Sequence, residues 1–427
     1  MKKFVIVFYF LVPFAFAQNM KQCKHRFDSY LNFKNSLNKV VIFEKDVIYF
    51  LDANGNKELA IYAEELKLMA SFFEHTNFKK QEALLKNKGL KKFSKRQRDS
   101  IFIFIDDRKT VSRNLHQLPL QGYRVAIDPG HFGTNLADAQ IEQKYLYFVK
   151  DSLTNPNDSI KLFESLLTFH TAKMLQSMLE EKGANVMLTR DQANFTSFNC
   201  TYQDWIKNYK IRSLDSLLRI DLISKEKYNK LQNCSDYILF WEFFRDYDLA
   251  NRSAKMNKFN PHASAIIHFN VDEKNDPWKK FTTKNFTMAF IGGAFTADNL
   301  NNPESKLNFL RLLFTQHVNQ SEKIAKQTVA NFHKKLSIPA AKQSDADYLL
   351  NSCLSTHSSG VFCRNLALCR RIASPLVYGE SLYQDNEKEA LELMKSDLDL
   401  YGLKTNTRLM QVARSYYEAL FDFLKHY

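Results

Sequence analysis

The sequence predicts an α/β fold: a twisted, mostly parallel or mixed sheet with helices on both faces, preceded by a smaller α+β region. Two observations carry this prediction. From residue 122 onward, short strands rich in β-branched residues alternate with segments of helical periodicity. The 427 residues are 45% hydrophobic and 25% charged, an ordinary globular composition with room for one sizeable core and large insertions.

Residues 1–17 have the pattern of a signal peptide. Lys2 and Lys3 form a basic start, residues 4–14 are apolar, and small residues at 15–17 suit cleavage. The apolar stretch is too short to span a bilayer. We therefore expect an exported protein of the periplasm or cell envelope that is not an integral membrane protein.

The charge balance is basic, at +14 for the whole chain. Removal of Lys2 and Lys3 with the signal peptide lowers it by two, to +12. Outside the cytoplasm, a basic surface suits an anionic polymer or an anionic membrane face, although lysines also serve solubility. We expect no nucleic-acid partner.

Six cysteines remain after the expected cleavage, and their spacing forms no zinc knuckle. An exported protein can form disulfides, but the sequence does not choose among the possible pairings. Cys200 and Cys234 are one candidate pair. Otherwise we interpret the cysteines as structural or free thiols.

Residues 18–118 form an N-terminal region without a chemical motif. Val40–Leu51 and Ser100–Ile105 are predicted strands, and Glu58–Phe73 has helical spacing between them. A basic run over residues 91–98 is either a solvated loop or a contact for an anionic polymer.

The second region, residues 119–427, begins with an apolar strand over Arg124–Asp128 that ends at Pro129 and Gly130. Ile160–Lys182 is a predicted helix, capped by Asp158 or Ser159 and ended by Gly183. The elements that follow are the strands Ala184–Thr189, Ala263–His268 and Phe286–Ile291, the helix Ser321–Leu336 and the strand Pro375–Glu380.

Four polar residues stand at the ends of these elements. His131 follows the first strand, His268 and Glu380 each close a strand, and Glu164 lies in the first turn of the predicted helix. Taken singly, each has an ordinary structural interpretation. In an open α/β sheet, however, strand carboxyl ends and helix amino ends share one edge, where ligands bind. We therefore expect the four side chains to converge.

Two imidazoles and one carboxylate are a standard set of ligands for catalytic zinc. Zinc polarises a carbonyl group and acidifies water, and amide hydrolysis also needs a carboxylate that is not a ligand to transfer the proton. Glu380 is the candidate for that role. His170, His262 and His357 fit this edge of the sheet less well, and the sequence has neither a His-Glu-x-x-His helix nor a Gly-x-Ser-x-Gly turn.

With these residues in place, the sequence resembles the zinc-dependent N-acetylmuramoyl-L-alanine amidases of the family-three type. The resemblance covers about residues 120 to 395 in ordered blocks. These blocks are Val125–His131, Glu164 with its helix, Gly183–Arg190, Arg252, Ala265–Asn270, Ser321–Ala325, Gly360–Leu368 and Pro375–Asn386.

The resemblance implies zinc at His131, Glu164 and His268, with Glu380 as the catalytic acid and base. The implied reaction is hydrolysis of the amide between N-acetylmuramic acid and L-alanine in peptidoglycan, for wall turnover or daughter-cell separation. Two alternatives stay open: a non-catalytic or regulatory wall-binding protein on the same fold, and a zinc peptidase that cuts another stem-peptide amide. Retention of every ligand and of Glu380 argues against the first alternative. Only the substrate groove, which the sequence does not define, separates the amidase from the second.

The sequence departs from the family pattern in two ways. Phe132 and Leu382 replace usual glycines, and insertions occupy about residues 192–248 and 296–320. Some relatives block their metal with an inserted helix until a protein activator removes it. Residues 307–314, an apolar run at helical spacing, are a candidate for such a helix; the alternative is an insertion that only packs on the sheet.

Overall fold

The computed structural model describes residues 19–75, 118–149, 159–275 and 278–427. The expected signal peptide, the basic run over 91–98 and the predicted strand Ser100–Ile105 lie outside the described residues. Within those ranges, no helix has the length and apolar character needed to cross a membrane.

The N-terminal region combines two helices with a small antiparallel sheet, as its predicted α+β character requires. The elements, in chain order, are helix α1 (Met20–Arg26), strands β1 (Val41–Phe43), β2 (Val47–Leu51) and β3 (Lys57–Tyr62), and helix α2 (Leu66–His75). The strands pair in the order β1-β2-β3.

Two predicted elements of this region are wrong in part. The predicted strand Val40–Leu51 is a hairpin, because residues 44–46 turn the chain between β1 and β2. The predicted helix Glu58–Phe73 begins as strand β3. Leu59 and Ile61 are both buried, and burial of every second residue is the pattern of a strand that pairs along its length with β2.

The second region has eleven strands among its described residues: seven form the central sheet, and the other four form two separate hairpins. The strands are β4 (Arg124–Pro129), β5 (Tyr145–Val149), β6 (Ser159–Phe163), β7 (Asn185–Leu188), β8 (Ala263–Asn270), β9 (Met288–Gly292), β10 (Cys353–Ser355), β11 (Val361–Arg364), β12 (Leu376–Tyr383), β13 (Leu398–Leu400) and β14 (Leu403–Thr405). The sheet order is β10-β11-β9-β12-β8-β4-β7, and the hairpins are β5-β6 and β13-β14. Strands β7, β4, β8 and β12 are parallel and β9 is antiparallel to β12, so the predicted mixed sheet is confirmed.

Helices cover both faces of this sheet. They are α3 (Leu136–Glu142), α4 (Glu164–Glu180), α5 (Tyr202–Asn208), α6 (Lys210–Arg219), α7 (Lys225–Asn233), α8 (Asp236–Leu239), α9 (Arg245–Phe259), α10 (Pro303–Phe314), α11 (His317–Leu336), α12 (Asp347–Ser352), α13 (Ala367–Arg371), α14 (Glu387–Leu393) and α15 (Thr407–Lys425). Val125 and Ile127 point into a core shared with α4, α11 and α15, whereas Ala126 points into a second core shared with α9.

The helix predicted over Ile160–Lys182 begins four residues later than expected, at Glu164. Ile160 and Leu162 are buried in strand β6, which pairs with β5, and Phe163 takes the N-cap position. Ser159 is therefore a strand residue and not the cap, while Asp158 lies outside the described residues. The consequence is that Glu164 becomes the first residue of helix α4.

Residues 192–248, the first expected insertion, form a helical unit with its own aromatic core. A π-helical turn, Phe240–Phe244, joins α8 to α9 and packs on the first inserted helix. Cys200 and Cys234 are free thiols, so the candidate disulfide is not formed. The buried aromatic residues of this unit are Tyr202, Trp205, Phe240, Phe243 and Phe244.

Residues 296–320, the second expected insertion, contain helix α10, which is buried almost along its whole length. Arg26 donates to the carbonyl of Leu313 (2.7 Å), and Lys306 pairs with Glu58 (2.6 Å). Helix α10 therefore packs between the sheet and the N-terminal region, in the core that both share.

Candidate metal centre

His131 lies in the turn after strand β4. Its backbone is left-handed (φ +57°), and the preceding Gly130 donates its N–H to the carbonyl of Ile267 in β8 (3.0 Å). A Cβ atom at Gly130 would overlap the imidazole of His268, so glycine is required for the close approach. The two imidazole centroids are 4.9 Å apart and their planes are perpendicular (90°).

Buried charges support this turn from within the protein. Arg252 of helix α9 lies 3.4 Å from Asp128 and 2.7 Å from Asp248, and it donates to the carbonyl of Pro129 (3.2 Å). Thr189 at the end of the neighbouring strand donates to the other oxygen of Asp128. The turn that presents His131 is thus held by fully paired polar groups, as burial requires.

Glu164 is buried (1% exposed), and each of its carboxylate oxygens has a protein donor. Oε1 accepts from the backbone N–H of Phe269 (3.1 Å), and Oε2 accepts from the side-chain amide of Gln384 (3.1 Å). These contacts fix the direction in which the carboxylate faces the two histidines.

The structure brings His131, Glu164 and His268 together as predicted. Oε1 of Glu164 lies 2.9 Å from Nδ1 of His268 and 3.5 Å from Nε2 of His131, and one donor atom from each residue lies within 4.8 Å of the others. Burial opposes ionisation of Glu164, but His131 and then His268 outweigh it and lower its pKa to about 2. An ionised carboxylate with two imidazoles fits a divalent metal ion.

Glu380 lies beside these residues because strand register places it there. Glu380 in β12 pairs with His268 in β8, and the Tyr378 ring stacks on the His268 imidazole (centroids 4.6 Å, interplanar angle 4°). Among the described residues, Glu380 Oε2 is buried without a hydrogen-bond partner. Burial raises the pKa of Glu380 to about 7; His268 opposes this shift and Glu164 adds to it.

The four residues line one cavity of about 280 Å³. The first insertion forms part of its wall through Phe240, Trp241 and Arg245, and strand β11 contributes Arg364. None of the residues of helix α10 lines this cavity. The structure therefore agrees with the packing interpretation of that insertion and gives no support to a blocking helix.

Two residues that hold the metal-ligand candidates, Glu142 and Gln384, are not among the predicted site residues. Glu142, the last residue of α3, is buried; one oxygen accepts from the backbone N–H groups of Phe132 (2.9 Å) and Gly133 (2.6 Å), and the other lies 3.2 Å from Nδ1 of His131. Gln384 orients Glu164. Neither lies in a periodic pattern, so only the folded turn and the end of β12 bring them to the site.

The two departures from the family pattern have packing explanations. Phe132 is buried against Tyr202 and Phe240 of the first insertion (centroids 5.6 and 5.9 Å). It therefore anchors the inserted unit beside His131. Leu382 is fully buried in the main core, where a glycine would leave space.

Three further histidines lie elsewhere. His262 accepts the backbone N–H of Arg124 at the start of β4 (2.9 Å), His357 stacks on His25, and His170 lies further along α4. In the part of the chain that the structure describes, the histidines of the metal-compatible cluster are His131 and His268 alone.

This geometry defines the class of protein: an α/β protein with a candidate metal centre at one sheet edge and a second, protonatable carboxyl beside it. Residues 125–401 match the family model described as N-acetylmuramoyl-L-alanine amidase, and the chain belongs to this family. The match confirms the predicted family and enzyme class.

Solved structures of named amidases share similarity with the chain. The N-acetylmuramyl-L-alanine amidase Ami1 of Mycobacterium smegmatis is 16% identical, with 72% of this chain and 99% of that chain covered and a TM-score of 0.39. The amidase CwlD of Clostridioides difficile, solved in complex with the GerS lipoprotein, is 13% identical, with coverages of 71% and 100% and a TM-score of 0.38. No curated protein sequence matches the chain.

Proposed function

We propose that the chain is a zinc-dependent hydrolase of the amide between N-acetylmuramic acid and L-alanine in peptidoglycan. His131, Glu164 and His268 hold the zinc ion, and Glu380 is the catalytic acid and base. The observation that carries this proposal is geometric: donor atoms of His131, Glu164 and His268 lie within 4.8 Å of one another, and Glu380 lines the same cavity as a second, separate carboxyl group.

The ligand residues are arranged to hold a cation. Zinc, when bound, supplies Lewis-acid polarisation of the scissile carbonyl and acidifies water. With its Nδ1–H directed at Glu142, His131 keeps the lone pair of Nε2, the nitrogen that faces Glu164. The Tyr378 ring fixes the plane of His268, while Phe269 and Gln384 fix Glu164.

Glu380 is placed to move a proton because it lines the same cavity as the three ligand residues, and in the metal-free protein burial raises its pKa to about 7. In the ionised form its carboxylate takes a proton from the attacking water. In the protonated form it gives that proton to the amide nitrogen, which must be protonated before it leaves. The absence of a hydrogen-bond partner at Oε2 among the described residues leaves this oxygen available for both transfers.

The place of action that fits this substrate is the cell envelope. We propose export by the basic and apolar segment at residues 1–17, and a role in wall turnover or daughter-cell separation. The net positive charge favours contact with an anionic wall polymer.

The direct test is digestion of purified peptidoglycan by the zinc-loaded protein, with and without a chelator, followed by mass analysis. We expect stem peptides that begin with L-alanine, intact glycan chains, and loss of both products on chelation. Cleavage inside the stem peptide would instead identify a peptidase. Binding to the polymer without release of products would identify a wall-binding protein.

Replacement of Glu142 with glutamine tests the support of His131. The amide keeps an oxygen acceptor but loses the negative charge that faces His131 Nδ1. We expect zinc affinity, measured by chelator competition, to fall about 10–100-fold, as is typical for groups that orient metal-bound histidines. Gln140→Ala, an exposed change on the same helix, is the matched control. Equal zinc affinities for wild type and Glu142→Gln would contradict this role.

A further inference from the structure

Arg364, at the end of strand β11, is a cation held in the wall of the metal-site cavity. Its guanidinium carbon lies 4.9 Å from the centroid of the Tyr348 ring and 5.1 Å from that of Phe290. Two aromatic faces therefore fix the side chain, and stacking of this kind leaves the N–H edge of a guanidinium available to a ligand.

The charge of Arg364 lacks a fixed counterion, in contrast to other arginines of the same cavity. Arg252 is paired with Asp128 and Asp248, and Arg245 with Asp246 (3.2 Å). Among the described residues, Arg364 forms no ion pair, although it is half-buried. Glu380 of the same cavity is close enough for the Arg364 charge to lower its pKa, but the two form no ion pair. A partly desolvated, rigid arginine without an ion-pair partner is suited to bidentate recognition of a carboxylate.

The proposed substrate presents such a group. In a peptidoglycan stem peptide, L-alanine is followed by D-glutamate linked through its γ-carboxyl, so a free α-carboxylate lies one residue from the scissile amide. In some walls this group is a carboxamide. We infer that Arg364 binds the α-carboxylate of the second stem residue and makes the enzyme discriminate between walls with the free acid and walls with the amide. This inference rests on the proposed substrate and deepens it.

Binding of two dipeptides to the zinc-loaded protein tests this inference without depending on catalysis. L-Alanyl-D-glutamate and L-alanyl-D-isoglutamine differ only in the α-carboxylate, which is a carboxamide in the second. By calorimetry we expect the wild type to bind the acid about 10- to 100-fold more tightly, the range of a charge-assisted, bidentate contact. Arg364→Gln should remove this preference by lowering the affinity for L-alanyl-D-glutamate alone. Arg364→Lys should keep part of the preference.

Arg414→Gln is the control for net charge, because Arg414 is exposed on helix α15 and lies outside the cavity. Equal affinities of the wild type for the two dipeptides would overturn the proposal that Arg364 binds the α-carboxylate. So would a preference for the acid that survives in Arg364→Gln. Failure of the amidase proposal gives a different result, since peptidoglycan digestion would then release no stem peptides whatever the dipeptide affinities are.

Discussion

Glu380→Gln is expected to lower the rate of stem-peptide release by about 10²- to 10⁴-fold, the range for loss of a general acid–base group. Glutamine has nearly the same shape but can neither take a proton from water nor give one to the amide nitrogen. Zinc affinity should stay close to that of the wild type, because His131, Glu164 and His268 are unchanged. The measurements are turnover on purified peptidoglycan and chelator competition for zinc.

The same variant also tests the effect of Glu380 on the pH dependence of stability. In the metal-free protein, the pKa of Glu380 is raised to about 7 by burial, so the folded state binds more protons than the unfolded state between the unfolded-state pKa and about pH 7. The contribution of Glu380 to stability therefore falls as pH rises through this window, and Glu380→Gln should abolish that component. A variant that digests peptidoglycan at the wild-type rate would show that another group transfers the proton.

The convergence of the four site residues follows from a general property of parallel sheets. Carboxyl ends of parallel strands share one edge, and β4, β8 and β12 are parallel neighbours. The prediction that His268 and Glu380 each close a strand is wrong in detail, since β8 continues to Asn270 and β12 to Tyr383. Both residues nevertheless lie near the shared edge, and the register of β12 against β8 pairs Glu380 with His268. Sequence was sufficient to place these side chains near that edge, because the change from apolar to polar residues marks the approach to a strand end, although it set the ends of β8 and β12 too early.

The parts that sequence could not give depend on local deviations from regular structure. Ile160 and Leu162 directly precede the apolar helical stripe that begins at Phe163, and pairing with β5 shows that they belong to a strand. Glu142 reaches His131 because a short helix turns the chain back. Gln384 reaches Glu164 just beyond a register shift between Glu380 and Tyr383, and such irregularities re-aim side chains without a periodic signal.

Gly130→Ala is expected to abolish zinc binding although it removes no ligand atom. A methyl group at this position would overlap three atoms of the His268 imidazole, Cε1, Nε2 and Nδ1. The ring cannot retreat, because Tyr378 of the strand on the other side of β8 stacks on it. We therefore expect a loss of zinc affinity beyond the roughly 10–100-fold range of a lost supporting contact, with peptidoglycan digestion lost in parallel.

The control for Gly130→Ala is Gly402→Ala, at an exposed turn where an added methyl group meets nothing within 4 Å. A side chain at positive φ lowers the stability of the folded protein slightly, but this variant should leave zinc affinity unchanged. Both variants should keep their far-ultraviolet circular dichroism, since the overlap at Gly130 is with one imidazole and not with the core of the sheet. Wild-type zinc affinity in Gly130→Ala would mean that His268 does not bind the metal in the position described. Weak binding that recovers in the double variant Gly130→Ala, Tyr378→Ala would identify confinement of the ring between these two neighbours as the reason for glycine at position 130.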